Sequence, residues 1–450
     1  MKVAGLGRRD GWYPPVVSSV AVLVELVRHD TSGGQVKCWE HFARSAARLT
    51  ERLPDGSGGT PLDLTVYFLG EHERVEPLSP HVRLVMLRPV LSSAATRSAD
   101  RAEDVCDLAP YHPRLAALLP RHDVWHLTHG FAFAATAVRL HRHAARRPAP
   151  RPRLIGSVHT DVPLLASVYA RYLAERWLPG SHPRVEDLLA DRAESALRRR
   201  RDRLLAPCER VLVPTPEGRA ELARVLGPHR VALLRRGVDH ELFRPDPTAQ
   251  DWLTRAYGIP DDRPLVLFAG RLDASKGVPL LTESVRLLRV RGGAPHLVMA
   301  GSGAEEDAVR RALGRDVTLL GPLPQDRLAR VYAGCDVFAF PSRTETSGNV
   351  VAEAMACGLA VVLPEGAHTT RWLAAPGRDG IVVPADSPSA WADALHPLIG
   401  RPAVREAVRR RAAETSRTTH PTWDRVLEED LLPVWTRPAR TPRRAGSRTA

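Results

Sequence analysis

Apolar residues in this chain come in short blocks separated by glycine, proline and charge. Ser19–Val27 (SVAVLVELV) is a nearly continuous β-branched run, the pattern of a strand buried on both faces. Runs of the same kind fall at Leu62–Leu69, Val82–Leu87, Asp123–Leu127, Leu154–Thr160, Arg210–Thr215 and Val231–Leu234. A second series follows at Leu265–Ala269, His296–Gly301, Val317–Gly321, Asp336–Pro341, Leu359–Leu363 and Gly380–Pro384. Helical segments lie between them: Asp30 to about Glu51, His112–Leu119, Phe131–Arg146, two patterns within Val162–Leu205, and one from Val278. Others begin near Ser387 and Pro402, and Thr422–Trp435 is amphipathic. Strand alternating with helix predicts an α/β architecture with parallel sheets. At 450 residues the chain is too long for one such core, so two domains are expected, 1–244 and 245–420, hinged near Pro245-Asp246-Pro247. Residues 1–17 read as irregular, Pro54–Pro61 and Arg147–Arg153 as solvated connectors, and the Pro/Arg/Ser tail 437–450 as disordered.

The densest pattern runs from Asp336 to Pro364. A strand ends at Pro341, a polar loop (Ser342 to Gly348) follows, Asn349 is placed to cap a helix over Val350–Cys357, Gly358 stops it, and a strand resumes. In a parallel sheet such a loop lies at the carboxyl edge, where ligands bind. The amides around Gly348, Asn349 and Val350 form a helix N-terminus that attracts phosphate. Glu345 and Glu353 flank it, and a carboxylate accepts paired hydroxyls well. Phosphate in the middle and polyols at both ends describe a nucleotide sugar.

Composition narrows the picture. No apolar stretch is long enough to span a bilayer, and Arg8, Arg9 and Asp10 interrupt any secretory-leader layout at the start. Cys38, Cys106, Cys208, Cys335 and Cys357 are scattered without metal-ligand spacing, as expected of free thiols in a cytoplasmic protein. No D-x-D triplet is present, so neither a metal nor another cofactor is expected. The net charge of +13 comes almost wholly from arginine, since Lys2, Lys37 and Lys276 are the only lysines. That bias, with no nucleic-acid-binding signature among the basic residues, excludes a nucleic-acid partner from the reading. The run Arg198 to Arg203 reads as a solvated helix face; peripheral contact with the inner face of an anionic membrane is its alternative.

The spacing Glu345-x7-Glu353, followed directly by Ala354-Met355-Ala356-Cys357-Gly358, resembles the signature of retaining GT-B glycosyltransferases of the GT4 type. Gly270-Arg271 and Lys276-Gly277 match that family's GR-x4-KG phosphate loop, Gly33-Gly34 its first-domain glycine loop, and His159-Thr160 its active-site histidine. Arg236-Gly237-Val238-Asp239 matches the stretch entering the linker. The resemblance implies two Rossmann-like domains facing across a cleft, the second binding the donor, with a terminal helix of about 421–436 packing back on the first. It implies transfer of a hexose from a UDP- or GDP-linked sugar to a hydroxyl of a lipid, glycan or small molecule. Arg271 and Lys276 would hold the diphosphate, Glu345 the hexose, Glu353 the ribose, and His159 would lie near the reacting face; Gly33, Gly34, Gly348, Asn349 and Val350 would bind the donor.

Two departures stand out. Ser347 occupies a position where relatives often carry an aromatic residue, and the loop Glu365 to Thr370 lacks their Gly-Gly. Three other readings use the same fold: a nucleotide-sugar epimerase, a pyridoxal-phosphate-dependent glycan phosphorylase, and a catalytically silent scaffold.

Overall fold

The computed structural model describes residues 19–29, 32–52, 62–92, 106–146, 151–159 and 183–436. The N-terminal residues, the Pro54–Pro61 loop, most of the Arg147–Arg153 connector, the first helical pattern after Val162 and the tail from 437 lie outside the described residues.

Among the described residues the first sheet has eight strands: β1 (Ser19–Val27), β2 (Asp63–Leu69), β3 (Arg74–Ser79), β4 (Val82–Leu87), β5 (Val124–Leu127), β6 (Arg153–Ser157), β7 (Arg210–Val213) and β8 (Val231–Leu233). Their order is β3-β4-β2-β1-β5-β6-β7-β8, parallel except for the β3–β4 pair. β1 runs over Ser19–Val27, as its apolar run predicts, and Val20 to Val24 are fully buried. Helices cover both faces. Gly34–Arg52 packs Trp39 and Phe42 on one, Ala132–Ala144 packs Phe133 and Ala137 on the other. β3 has no buried residue and carries Pro77. It is an edge strand, the one place where a proline and a polar surface fit a ladder.

The second sheet is parallel throughout: β9 (Leu265–Ala269), β10 (His296–Ala300), β11 (Val317–Gly321), β12 (Val337–Ala339), β13 (Ala360–Pro364) and β14 (Ile381–Val383). Its order, β11-β10-β9-β12-β13-β14, reverses direction between β9 and β12. The first sheet reverses in the same way between β1 and β5. At such a switch point the two adjacent loops leave in opposite directions and open a crevice at the carboxyl ends of the strands. Fold geometry therefore selects the loops after β1 and β5, and after β9 and β12, as binding positions.

Among the described residues the chain crosses between the cores twice, and the crossings lie side by side. Val238 pairs with Thr422 as an isolated parallel bridge, and its N–H donates to the Pro421 carbonyl at 2.9 Å. A Cβ on Gly237 would stand 2.5 Å from the Trp423 backbone nitrogen, so only glycine allows this approach. Val238 and Phe243 are packed within the second core, so the chain has joined it before the expected boundary after 244. Pro245-Asp246-Pro247 leads not into open linker but into a helix, Ala249–Tyr257, absent from the sequence reading. The terminal amphipathic stretch forms a helix interrupted by a π segment, Leu427–Leu431, and docks on the first domain. Trp423 meets Phe42 edge-on, fully buried Trp435 donates its indole N–H to His126 Nδ1 at 3.0 Å, and Arg235 is clamped by Asp430 and Glu429.

Candidate active site

The loop after β9 is built by its own side chains. The Asp273 carboxylate accepts the Lys276 amide at 3.1 Å and the Ser275 hydroxyl at 2.6 Å, folding Ala274–Lys276 into one 3-10 turn. Arg271 Nη2 lies 3.5 Å from Asp273. Gly277 then turns through the left-handed region (φ 76°), where a Cβ would also strike Pro341 at 2.7 Å. The helix Val278–Val290 starts there.

Sixty-odd residues later the loop after β12 returns to the same place. Lys276 Nζ donates to Glu345 Oε1 at 2.6 Å and sits 3.4 Å from Thr344 Oγ1. The two side chains are 13% and 29% exposed, so the pair is partly desolvated yet open on one side. Beyond it Gly348 takes φ 60°, ψ 50°, and the helix runs from Asn349 to Ala356. This corrects the expected cap. Asn349 is the first helical residue rather than the N-cap, and its Oδ1 bonds to nothing among the described residues. Only glycine fits at 348 because Thr369 Cγ2 would lie 2.4 Å from a Cβ there. With no side-chain cap, the first-turn amides at Asn349 and Val350 have no acceptor within the helix.

Glu353 lies one turn further, half-buried, against the Tyr332 hydroxyl. Burial pushes its carboxyl up to about 7, with the Tyr332 contact opposing that rise.

On the first domain, Gly33 and Gly34 open the Gly34–Arg52 helix after β1; both are exposed, with empty space over their α-carbons. His159 follows β6 and is buried, its ring held at both nitrogens. Arg236 Nη2 contacts Nδ1 at 2.8 Å and Ser157 Oγ contacts Nε2 at 2.7 Å. A guanidinium only donates, so Nδ1 is the acceptor and the proton resides on Nε2, given to Ser157. Burial and then the Arg236 charge hold His159 well below the usual histidine range, so the ring is neutral.

The two halves meet directly here. Thr346 Oγ1 donates to the His159 carbonyl at 2.7 Å, and Arg236 Nε donates to Ser347 Oγ at 3.2 Å. The small Ser347 thus admits Arg236. Its own carbonyl accepts the Trp372 indole N–H at 2.7 Å, so an aromatic ring reaches the loop from elsewhere in the sequence. The loop without Gly-Gly forms a 3-10 turn, His368–Trp372, whose buried Thr369 packs over Gly348. The structure therefore groups Arg271, Lys276, Glu345, Gly348, Asn349, Val350 and Glu353 on the second domain and sets His159 against them. Arg236, Tyr332, Thr369 and Trp372 were missed: none belongs to a spacing motif, and Arg236 alone lies in a stretch that matched the family.

Among the described residues the five cysteines are free thiols and no helix is long and apolar enough to cross a membrane. In the 198–203 run, Arg198 and Arg201 are both tied to Glu221 of the same domain.

Two doubly wound α/β domains, their switch-point loops turned toward each other, define the GT-B fold. Its solved examples include sucrose-phosphate synthase from Thermosynechococcus elongatus (TM-score 0.61, 19% identity, 91% of this chain and 96% of that one). Another is Anabaena HepE in complex with UDP-glucose (TM-score 0.62, 14% identity, 91% and 97%). Residues 263–401, the body of the second domain, match the family model for glycosyl transferases group 1. Among curated relatives, the D-inositol 3-phosphate glycosyltransferase of Xylanimonas cellulosilytica is 32% identical over 254 residues, 53% of this chain and 58% of the relative. That of Stackebrandtia nassauensis is 34% identical over 241 residues, 48% and 52%. The chain thus matches little more than half the length of these relatives.

Proposed function

We propose that this protein moves a hexose from a nucleotide sugar to a hydroxyl acceptor, with retention at the anomeric carbon and without a metal ion. The observation that carries this reading is the Lys276–Glu345 pair at 2.6 Å, at the β9/β12 switch point and beside uncapped helix amides. A cation and open N–H groups suit a diphosphate; a carboxylate one side chain away suits the sugar attached to it.

Lys276, Arg271 and the amides at 348–350 would take up negative charge as the nucleoside diphosphate leaves. Glu345, oriented by Lys276, would hold hexose hydroxyls, and Glu353 would hold the ribose. His159 is neutral and fixed at both nitrogens, so beside the sugar it serves as a wall rather than a proton carrier. The acceptor oxygen attacks on the face from which the phosphate departs. Its proton passes to the leaving phosphate oxygen as the C–O bond to phosphate breaks, leaving nucleoside diphosphate and a glycoside of unchanged configuration. HepE was solved with UDP-glucose, which favours UDP over GDP as the first donor to test. The acceptor is kept at the level of a hydroxyl compound. A cytoplasmic site of action fits the free thiols.

The experiment is donor turnover by the full chain with UDP- and GDP-hexoses, following nucleoside diphosphate release, with the product anomer read from its proton coupling. Release in the wild type and near-loss in K276A and E345A is expected. Inversion at the anomeric carbon overturns the stereochemical part; wild-type rates in both variants overturn the site.

A further inference from the structure

Among the described residues Arg236 is a buried cation without an anion. It is 8% exposed, and its described partners are Ser347 Oγ, His159 Nδ1 and the Cys38 thiol. All three are neutral: burial pushes the Cys38 thiol up to about 11, and His159 is held unprotonated. Among the described residues no carboxylate lies within ion-pair distance of the guanidinium. Three of its N–H groups are used, leaving two of the five that a guanidinium carries. A buried charge that the protein does not pair is strongly unfavourable unless something else pairs it.

Its position says what that something is. Cys38 is about one turn into the helix opened by Gly33 and Gly34, and Ser347 immediately precedes Gly348 and the Asn349–Ala356 helix. Arg236 therefore joins the open N-terminal ends of two helices, one from each domain, both of which favour negative charge. Lys276 approaches the same loop from the other side, through Glu345.

We propose that Arg236 binds the donor's diphosphate from the first domain, a third cation on the leaving group beside Arg271 and Lys276. The assignment rests on the nucleotide-sugar reading above. Because Arg236 Nε also holds Ser347, the guanidinium that binds the diphosphate is the one that already bridges the two domains.

Titration calorimetry on the full chain tests this with UDP, GDP, ADP, inorganic pyrophosphate and the matching nucleosides, in wild type, R236Q and R236K. Wild type should bind at least one diphosphate. R236Q, which keeps polar contact without charge, should lose about tenfold to a hundredfold in diphosphate and pyrophosphate affinity while binding the nucleoside as before. R236K should recover part of that loss. A structural role predicts instead a lowered melting temperature and equal weakening of nucleoside and diphosphate. Equal weakening, or unchanged diphosphate affinity in R236Q, overturns the inference and leaves the proposed function standing. A wild type that binds none of the diphosphates overturns both. If R236Q does not fold, R236M replaces it, with the same outcomes.

Discussion

Replacing Lys276 with alanine separates catalysis from stability. The ammonium lies 2.6 Å from Glu345 Oε1, and the pair is 13% and 29% exposed. Its loss leaves Glu345 able to take water on its open side, so folding should suffer by no more than about 1 kcal/mol. The chemical step is different. A preorganised donor aimed at developing charge is worth about 2.7–4 kcal/mol, a factor of roughly 10² to 10³ in kcat. Glu345 loses its orienting partner as well, which places the K276A loss at the upper end. The assay is initial-rate nucleoside diphosphate release, with differential scanning calorimetry on the same preparations. A kcat that falls by at least about a hundredfold with a melting temperature within a few degrees agrees with the reasoning. A kcat within about threefold of wild type refutes it, because about 0.7 kcal/mol is too little for a group on the leaving diphosphate.

Glu353 supplies a pH prediction. Its carboxyl is raised from 4.5 to about 7, so the folded state holds a proton that the unfolded state releases. Its contribution is fully present below 4.5 and disappears as pH rises through about 7, up to about 3 kcal/mol in all. Denaturant midpoints should fall over that window in wild type and less so in E353Q. Ribose hydroxyls donate to the anion, so nucleotide affinity should rise from about pH 6 to about pH 8; a flat profile contradicts the ribose role. W435A empties a fully buried site and frees His126 Nδ1, at a cost of about 3–5 kcal/mol in urea unfolding. A change below about 1 kcal/mol would mean the terminal helix is not docked. W372F removes the donor to the Ser347 carbonyl and should lower kcat more than it lowers stability, about 1 kcal/mol in the latter.

The parallel cores were legible because buried strands carry their signal locally. Ser19–Val27, Leu265–Ala269 and Ala360–Pro364 need no partner to be recognised. β3 was not, since an exposed edge strand has no apolar alternation to read. The helix Ala249–Tyr257 hid behind two prolines that suggested a hinge. At the site, motif spacing marked Arg271, Lys276, Glu345 and Glu353, yet nothing local showed that Lys276 and Glu345 would touch. The cap at 348 was misassigned because Asn is the better capper by propensity, whereas Thr369, pressed against the α-carbon, requires glycine in a left-handed turn. Arg236 was read only as part of the stretch entering the linker; what marks it for the site is burial, a property of the whole fold.

The central claim is that a sugar diphosphate lies between the two domains, over the Lys276–Glu345 pair. A crystal structure of the full chain with a non-hydrolysable UDP-sugar tests it directly. The account predicts density with phosphate oxygens about 3 Å from Lys276 Nζ and from the Asn349 and Val350 amides, and the hexose against Glu345. Nucleotide bound elsewhere on either domain, with Lys276 and Glu345 untouched, would contradict it.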